Sequence, residues 1–298
     1  MKNIFLIGSS GFVGKHTYDL LVKENYTTIC LDIDDIKFNQ NEGIFEMVSI
    51  NDYVVLKKLF EKYLPETAIL LVSYSSDGDG LVISSNKKPR DSTETNLSGL
   101  LNVIECCKNY NCKLIWTSST TVYGHKSKYN GKVNEDSLLN PESLYAASKV
   151  FNEKIIYHYC KEYKMDATII RPSLIWGPGL KYNGIQKPFN DMLISFKYGI
   201  EKTIPHCNQE WDLIYVKDVA LAILFVLKNK NLPFLLIVNG YTYSIKSFFD
   251  ELNKIKRSPI FFDGESRKID IPLVDDNKIR RVGFRNKYNF MLSINDYK

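Results

Sequence analysis

A phenol and an ammonium four residues apart on a helix can share one proton-transfer task, because such side chains lie on the same helical face. Tyr145-Ala146-Ala147-Ser148-Lys149 offers that pair. An ordinary phenol is a poor base at neutral pH, and a neighbouring cation favours its ionised form. Spacing alone selects nothing: the 19 tyrosines also supply Tyr53/Lys57, Tyr157/Lys161 and Tyr198/Lys202, and chance yields roughly two such pairs. Only Tyr145 follows closely on a hydroxyl-rich run, Trp116-Thr117-Ser118-Ser119-Thr120-Thr121-Val122-Tyr123-Gly124, that leaves an apolar strand. The proline-bearing segment Asn140-Pro141-Glu142-Ser143-Leu144 then leads into the helix.

A second constellation suits a phosphate. Gly8-Ser9-Ser10-Gly11-Phe12-Val13-Gly14 directly follows the first apolar run. Gly8 permits a tight turn, Gly11 lets the backbone approach a pyrophosphate, Gly14 allows close helix-on-strand packing, and the helix amino terminus favours an anion. A glycine triplet also occurs in ordinary turns. Here the second strand ends in Leu31-Asp32, about twenty residues on, where a carboxylate accepts ribose hydroxyls and repels a 2′-phosphate. No Arg or Lys stands in the glycine loop or just after Asp32, which favours NAD over NADP. Asp34 and Asp35 compete for the same role or serve as solvated turn residues.

The elements that must position these residues are legible as a rhythm. Asn3–Ile7, Thr28–Leu31, Ala68–Val72, Lys113–Thr117 and Thr168–Arg171 predict buried strands, and continuous apolar strands separated by helices mean a parallel, doubly wound α/β sheet. Lys15–Lys23, Val54–Lys62, Asn96–Lys108 and Tyr145–Tyr163 carry the helical crossovers. After Trp176 the rhythm breaks at Gly177-Pro178-Gly179, Gly184, Pro188 and Gly199, then a helical run, Val216–Leu227, and a strand-like run, Phe234–Val238, return. The expectation is a Rossmann domain over 1–176 plus about 212–240, with a smaller substrate-binding lobe from about 177–211 plus 241–298. The irregular stretch Ser73–Pro89 follows a strand's carboxyl end, where ligands sit in such sheets.

Composition bounds the possibilities. A chain of 298 residues, 44% hydrophobic and 24% charged, has the make-up of one large globular domain with a lobe attached. Its net charge of +5 is scattered, with basic pairs no larger than Lys87-Lys88 and Arg280-Arg281, too thin for a nucleic-acid footprint. The six cysteines form no CxxC pair, so neither a zinc site nor a disulfide framework is expected and a reducing cytoplasm is. No apolar stretch reaches the length of a membrane span.

Taken in order, these segments resemble the extended short-chain dehydrogenase/reductase superfamily, in its NAD-dependent epimerase/dehydratase branch. The resemblance runs through the glycine loop, Asp32, Thr95-Asn96-Leu97-Ser98-Gly99, Thr117–Gly124, Tyr145–Lys149, Arg171-Pro172-Ser173-Leu174-Ile175-Trp176-Gly177-Pro178, Asp212-Leu213-Ile214-Tyr215-Val216-Lys217-Asp218-Val219 and Asn239-Gly240 with Ser244-Ile245. It implies that Gly8, Gly11, Phe12, Val13, Gly14 and Asp32 bind NAD. It implies that Tyr145 is the general acid or base on the reacting hydroxyl, that Lys149 holds the nicotinamide ribose and lowers the tyrosine's pKa, and that Ser119 hydrogen-bonds the reacting oxygen. Asn96 would support the active-site helix or relay a proton, and a helix cap is an equally good reading of it. A nucleotide-diphosphate sugar as substrate and a homodimer are further expectations.

Departures from the family pattern narrow the reaction. Dehydratases of this branch carry an Asp-Glu pair just after the catalytic hydroxyl residue, where this chain has Thr120-Thr121, so 4,6-dehydration is not expected. Leu174 and Trp211 replace an Asn and an Arg that grip a diphosphate. Arg267, within Arg267-Lys268-Ile269-Asp270-Ile271-Pro272, is either a surviving phosphate contact or an exposed cation. Trp211 either stacks on a base or sugar or packs beside an apolar helix; Tyr74 and Trp176 are placed at the pocket mouth by position alone. Three functions compete: an NAD-dependent nucleotide-sugar epimerase oxidising C4 transiently, a 4-keto sugar or other carbonyl reductase, and a non-catalytic dinucleotide-binding protein.

Overall fold

The apolar runs pair side by side in a computed structural model that describes residues 3–34, 43–76, 78–180, 184–205, 209–264 and 271–297. The strands are β1 (Asn3–Ile7), β2 (Thr27–Asp32), β3 (Ile44–Met47), β4 (Thr67–Leu70), β5 (Lys113–Thr117) and β6 (Ala167–Pro172). They continue as β7 (Leu174–Trp176), β8 (Lys202–Ile204), β9 (Trp211–Tyr215), β10 (Leu235–Val238), β11 (Tyr241–Tyr243) and β12 (Ile260–Phe262). Helices α1 (Phe12–Lys23), α2 (Tyr53–Tyr63), α3 (Leu81–Lys87), α4 (Pro89–Thr93), α5 (Leu100–Asn109) and α6 (Leu144–Glu162) fill the first part. They are followed by α7 (Lys187–Tyr198), α8 (Val216–Lys228), α9 (Ile245–Ile255), α10 (Asn277–Arg281) and α11 (Phe290–Ile294).

Seven strands form one sheet in the order β10-β6-β5-β4-β1-β2-β3, and every pairing in it is parallel. This is the doubly wound Rossmann-type α/β architecture. Strand alternation divides the core between two faces. Phe5, Ile7, Ile29, Leu31 and Leu70 pack with Leu56, Phe60, Val103, Ile104 and Ile156 of α2, α5 and α6. Ile4, Leu6, Cys30, Ile69 and Ile115 pack with Tyr18 and Leu21 of α1 and Val219, Ile223 and Val226 of α8. From β1 the chain winds outward through β2 and β3, then returns to lay β4 on the other side. That reversal opens a crevice beyond the carboxyl ends of β1 and β4.

Two small sheets, β11-β9-β7 and β12-β8, build the remainder. Their core is aromatic: Trp176, Phe189, Trp211, Phe248 and Phe290 are all buried together. Buried carboxylates clip this part to its neighbours. Asp212 accepts from the Thr242 hydroxyl (2.5 Å) and the Val274 N–H (2.6 Å), and Asp218 accepts from the N–H groups of Lys287 and Tyr288.

Candidate active site

The glycine loop turns out of β1 with Gly8 at φ +89°, in the left-handed region that favours glycine. A Cβ on Gly14 would stand 2.1 Å from the Gly8 carbonyl oxygen, so only glycine lets α1 start this close to the loop. Gly11 takes the N-cap position without a capping side chain, and the first turn carries no acidic residue. Orphan N–H groups and the positive helix end are thereby left for an anion. Asp32 ends β2 with one carboxylate oxygen on the Ser10 N–H (2.8 Å) and the other on the Ile33 N–H (2.8 Å). That ties the carboxylate to the phosphate-type loop and leaves lone pairs for hydroxyl donors. Asp34 meets the same loop through its backbone carbonyl, which accepts from the Ser10 hydroxyl; Asp35 lies outside the described residues. The donor and acceptor set fits a dinucleotide.

Helix α6 starts where Ser143 caps it, its hydroxyl accepting from the Ala146 N–H (3.1 Å). One turn on, Tyr145 and Lys149 point at the exit of β5, both buried. The Lys149 ammonium donates to Ser73 Oγ and to the Thr117 carbonyl, each at 3.0 Å, and lies 4.7 Å from the centre of the Trp116 ring. The Tyr145 phenol is hydrogen-bonded to Ser119 and Ser73. Ser119 Oγ in turn accepts from the Thr121 N–H (3.2 Å) and hydroxyl (3.0 Å). Burial pushes the phenol up to about 12, against those hydrogen bonds. Burial also pulls the Lys149 ammonium down to about 7, against the charge of Glu153.

Asn96 lies inside a π-helical turn, Glu94–Gly99, and not at a helix start. Its side chain accepts from the Tyr74 N–H (2.8 Å) and donates to Ser92 Oγ (3.0 Å), while its carbonyl accepts from Asn152 Nδ2 (2.7 Å). It thus anchors the loop that carries Ser73. Tyr74 itself donates from its phenol to Asp91 (3.2 Å). The two loops meet at the crevice, where a Cβ on Gly8 would touch the Val72 N–H nitrogen at 2.9 Å.

The structure therefore brings Ser119, Tyr145 and Lys149 together next to the Asn96-anchored loop, which adjoins the glycine loop. It does not bring the two tryptophans there. Trp176 packs edge-on against Tyr215 and Phe248, and Trp211 is fully buried against Phe189. Packing, rather than stacking at the pocket mouth, is what their surroundings provide. Arg267 lies outside the described residues. Sequence reasoning missed Ser73 and Glu153, although Glu153 continues the face of Tyr145 and Lys149 by one more turn, a signal available in the spacing.

Comparison with known proteins adds a family to this geometry. The family model described as "NAD dependent epimerase/dehydratase family" matches residues 4–234. A dTDP-D-glucose 4,6-dehydratase of Dictyostelium discoideum is 28% identical over 275 residues, covering 85% of this chain and 60% of its own. UDP-glucuronate 4-epimerase 3 of Arabidopsis thaliana is 27% identical over 232 residues, covering 73% of this chain and 53% of its own. This chain thus spans less than two thirds of either relative. In structure it resembles the UDP-glucose 4-epimerase of Thermotoga maritima, solved with UDP-glucose, at a TM-score of 0.83 and 23% identity, over 99% of this chain and 97% of that one.

Proposed function

This chain belongs to the NAD-dependent epimerase/dehydratase family, and from that premise we propose that it is a nucleotide-sugar epimerase that oxidises C4 of the sugar transiently and reduces it on the other face. The observation that carries this reading is the convergence of Ser119, Tyr145 and Lys149 with hydroxyls, not carboxyls, in the two positions after Ser119. Elimination of water needs an acid and a base there. Thr121 instead spends its hydroxyl on Ser119, and its pKa suits neither role.

Bound NAD would supply the hydride acceptor for this chemistry. Gly8, Gly11, Phe12, Val13 and Gly14 would hold its pyrophosphate, and Asp32 its adenosine ribose. Tyr145 takes the proton of the reacting hydroxyl and later returns one. Ser119 donates to the same oxygen and orients it. Lys149 would hold the nicotinamide ribose, and its ammonium, 5.4 Å from the centre of the Tyr145 ring, would favour the phenolate when charged.

A specific observation favours one other reading. With Trp211 sealed in a core and Leu174 apolar, two diphosphate handles are missing, which suits a reductase of a 4-keto sugar or another carbonyl compound. Two measurements separate the readings. Denatured protein should release near-stoichiometric NAD, and incubation with UDP-, dTDP-, CDP- and GDP-sugars should yield a C4 epimer by NMR with no net change in NADH absorbance. Net NADH consumption with a keto sugar would replace the epimerase by the reductase.

A further inference from the structure

Three consecutive residues leaving β5 are each held by a different side chain of α6. The Thr117 carbonyl accepts from Lys149 (3.0 Å), the Ser118 hydroxyl donates to Glu153 Oε1 (2.6 Å), and Ser119 meets the Tyr145 phenol. Residues 145, 149 and 153 stand one turn apart on one face, so the helix grips the segment at three successive points. Glu153 has no part in the chemistry proposed above, yet it is a carboxylate with only 5% of its surface exposed.

Its charge is matched by Arg171 of β6, whose Nε donates to Oε1 (2.8 Å) and whose Nη2 donates to Oε2. The remaining guanidinium nitrogen, Nη1, donates to the Tyr123 phenol (2.6 Å), which donates to the Asn134 carbonyl (2.7 Å). A buried ion pair is seldom better for stability than a packed apolar pair, because desolvation offsets the attraction. What this one adds is a fixed anion with a spare lone pair, and Ser118 uses it.

We propose that Glu153 is a positioning residue of the active site: it locks Thr117–Ser118–Ser119 against α6 and keeps a fixed negative charge one turn from Lys149. This rests on the assignment of Tyr145 and Lys149 to the proton-handling machinery. Facing Lys149 are Tyr145 and Glu153 on its own helix, Trp116 and the Thr117 carbonyl on β5, and Ser73 after β4; behind Glu153 stand Arg171 on β6 and Tyr123 in the turn after β5. Of these, Glu153 is the group whose charge favours the ammonium against burial.

The test reads Lys149 directly and needs no substrate. In the full chain labelled with 13Cε-lysine, the Lys149 signal is assigned by its loss in Lys149→Arg and titrated by NMR. Glu153→Gln should lower the Lys149 midpoint by about one unit or more, the usual effect of one close opposite charge. Glu153→Asp should restore most of it, and Ser118→Ala, which keeps the charge, should leave it in place. Should Glu153→Gln fail to fold with Arg171 left uncompensated, the Glu153→Gln/Arg171→Met double variant should fold and show a smaller drop in the same direction, because loss of the more distant Arg171 cation offsets part of it. An unmoved midpoint in a folded variant overturns the proposal, and so does failure of the double variant to fold, which would assign the pair to stability alone. Either result leaves the epimerase reading untouched. That reading fails instead if Tyr145→Phe retains full turnover, whatever the Lys149 titration shows.

Discussion

At the scale of single residues, the site holds two groups that burial pushes in opposite directions, an acid made weaker and a base made weaker. Tyr145→Phe removes the proposed proton carrier and little else, so turnover should fall by roughly 10²-fold or more while NAD affinity, measured by calorimetry, stays within twofold. Lys149→Met trades stability against function. The lysine's folded pKa, about 7, lies below its unfolded one, so the unfolded chain binds the extra proton across that interval. The penalty is full below pH 7 and fades as pH rises toward the ordinary lysine value. Lys149→Met should therefore raise Tm by several degrees at pH 6, with a gain that shrinks by pH 9, and weaken NAD binding at both. Asp32→Ala should narrow the preference for NADH over NADPH, read as the ratio of the two dissociation constants, because the ribose acceptor and the repulsion of a 2′-phosphate vanish together. The residues that could be read in the sequence were those whose neighbours betray them: Tyr145 by the hydroxyl run before it, Asp32 by its place at a strand end. Ser73 escaped because its importance comes from a partner 76 residues away, which no local pattern encodes; Glu153 is in step with Tyr145 and Lys149, but what it does there depends on Arg171 and Ser118, 18 and 35 residues away.

Among the elements, the glycine loop has the least freedom. Gly14→Ala would drive a Cβ into backbone, not into a yielding side chain. It should cost about 1–3 kcal/mol in chemical denaturation and abolish NAD binding. Buried parallel strands announce themselves by unbroken apolar runs, and β1 and β5 fall where those runs lie. β3 does not: it is a four-residue edge strand, exposed at Ile44 and Met47, with too little burial to impress a pattern. The π-helical turn at Glu94–Gly99 was likewise invisible, since an extra residue in a helical turn keeps helical composition. The three-residue strands β7, β8, β11 and β12 carry no period long enough to detect.

For the whole molecule, one tie between α8, which packs on the large sheet, and the last stretch of chain passes through Asp218, where burial pushes the carboxyl up to about 6. Its folded pKa exceeds the unfolded one, so the folded chain binds more protons between roughly pH 4 and 6, and stability falls as pH rises through that window. Asp218→Asn keeps an acceptor for the Lys287 and Tyr288 N–H groups and sheds the charge. It should raise Tm at pH 7.5 and change it little at pH 4. The homodimer expected from the family resemblance is a question for sedimentation of the purified chain. One consequence of the packing is optical. All three tryptophans, Trp116, Trp176 and Trp211, are buried, so native fluorescence should be blue-edged and shielded from iodide, and unfolding should redden it in one step. Trp116 differs from the other two in lying beneath the Lys149 ammonium. Its share of the emission should therefore follow the charge state of Lys149, a built-in dye beside the proposed reaction centre.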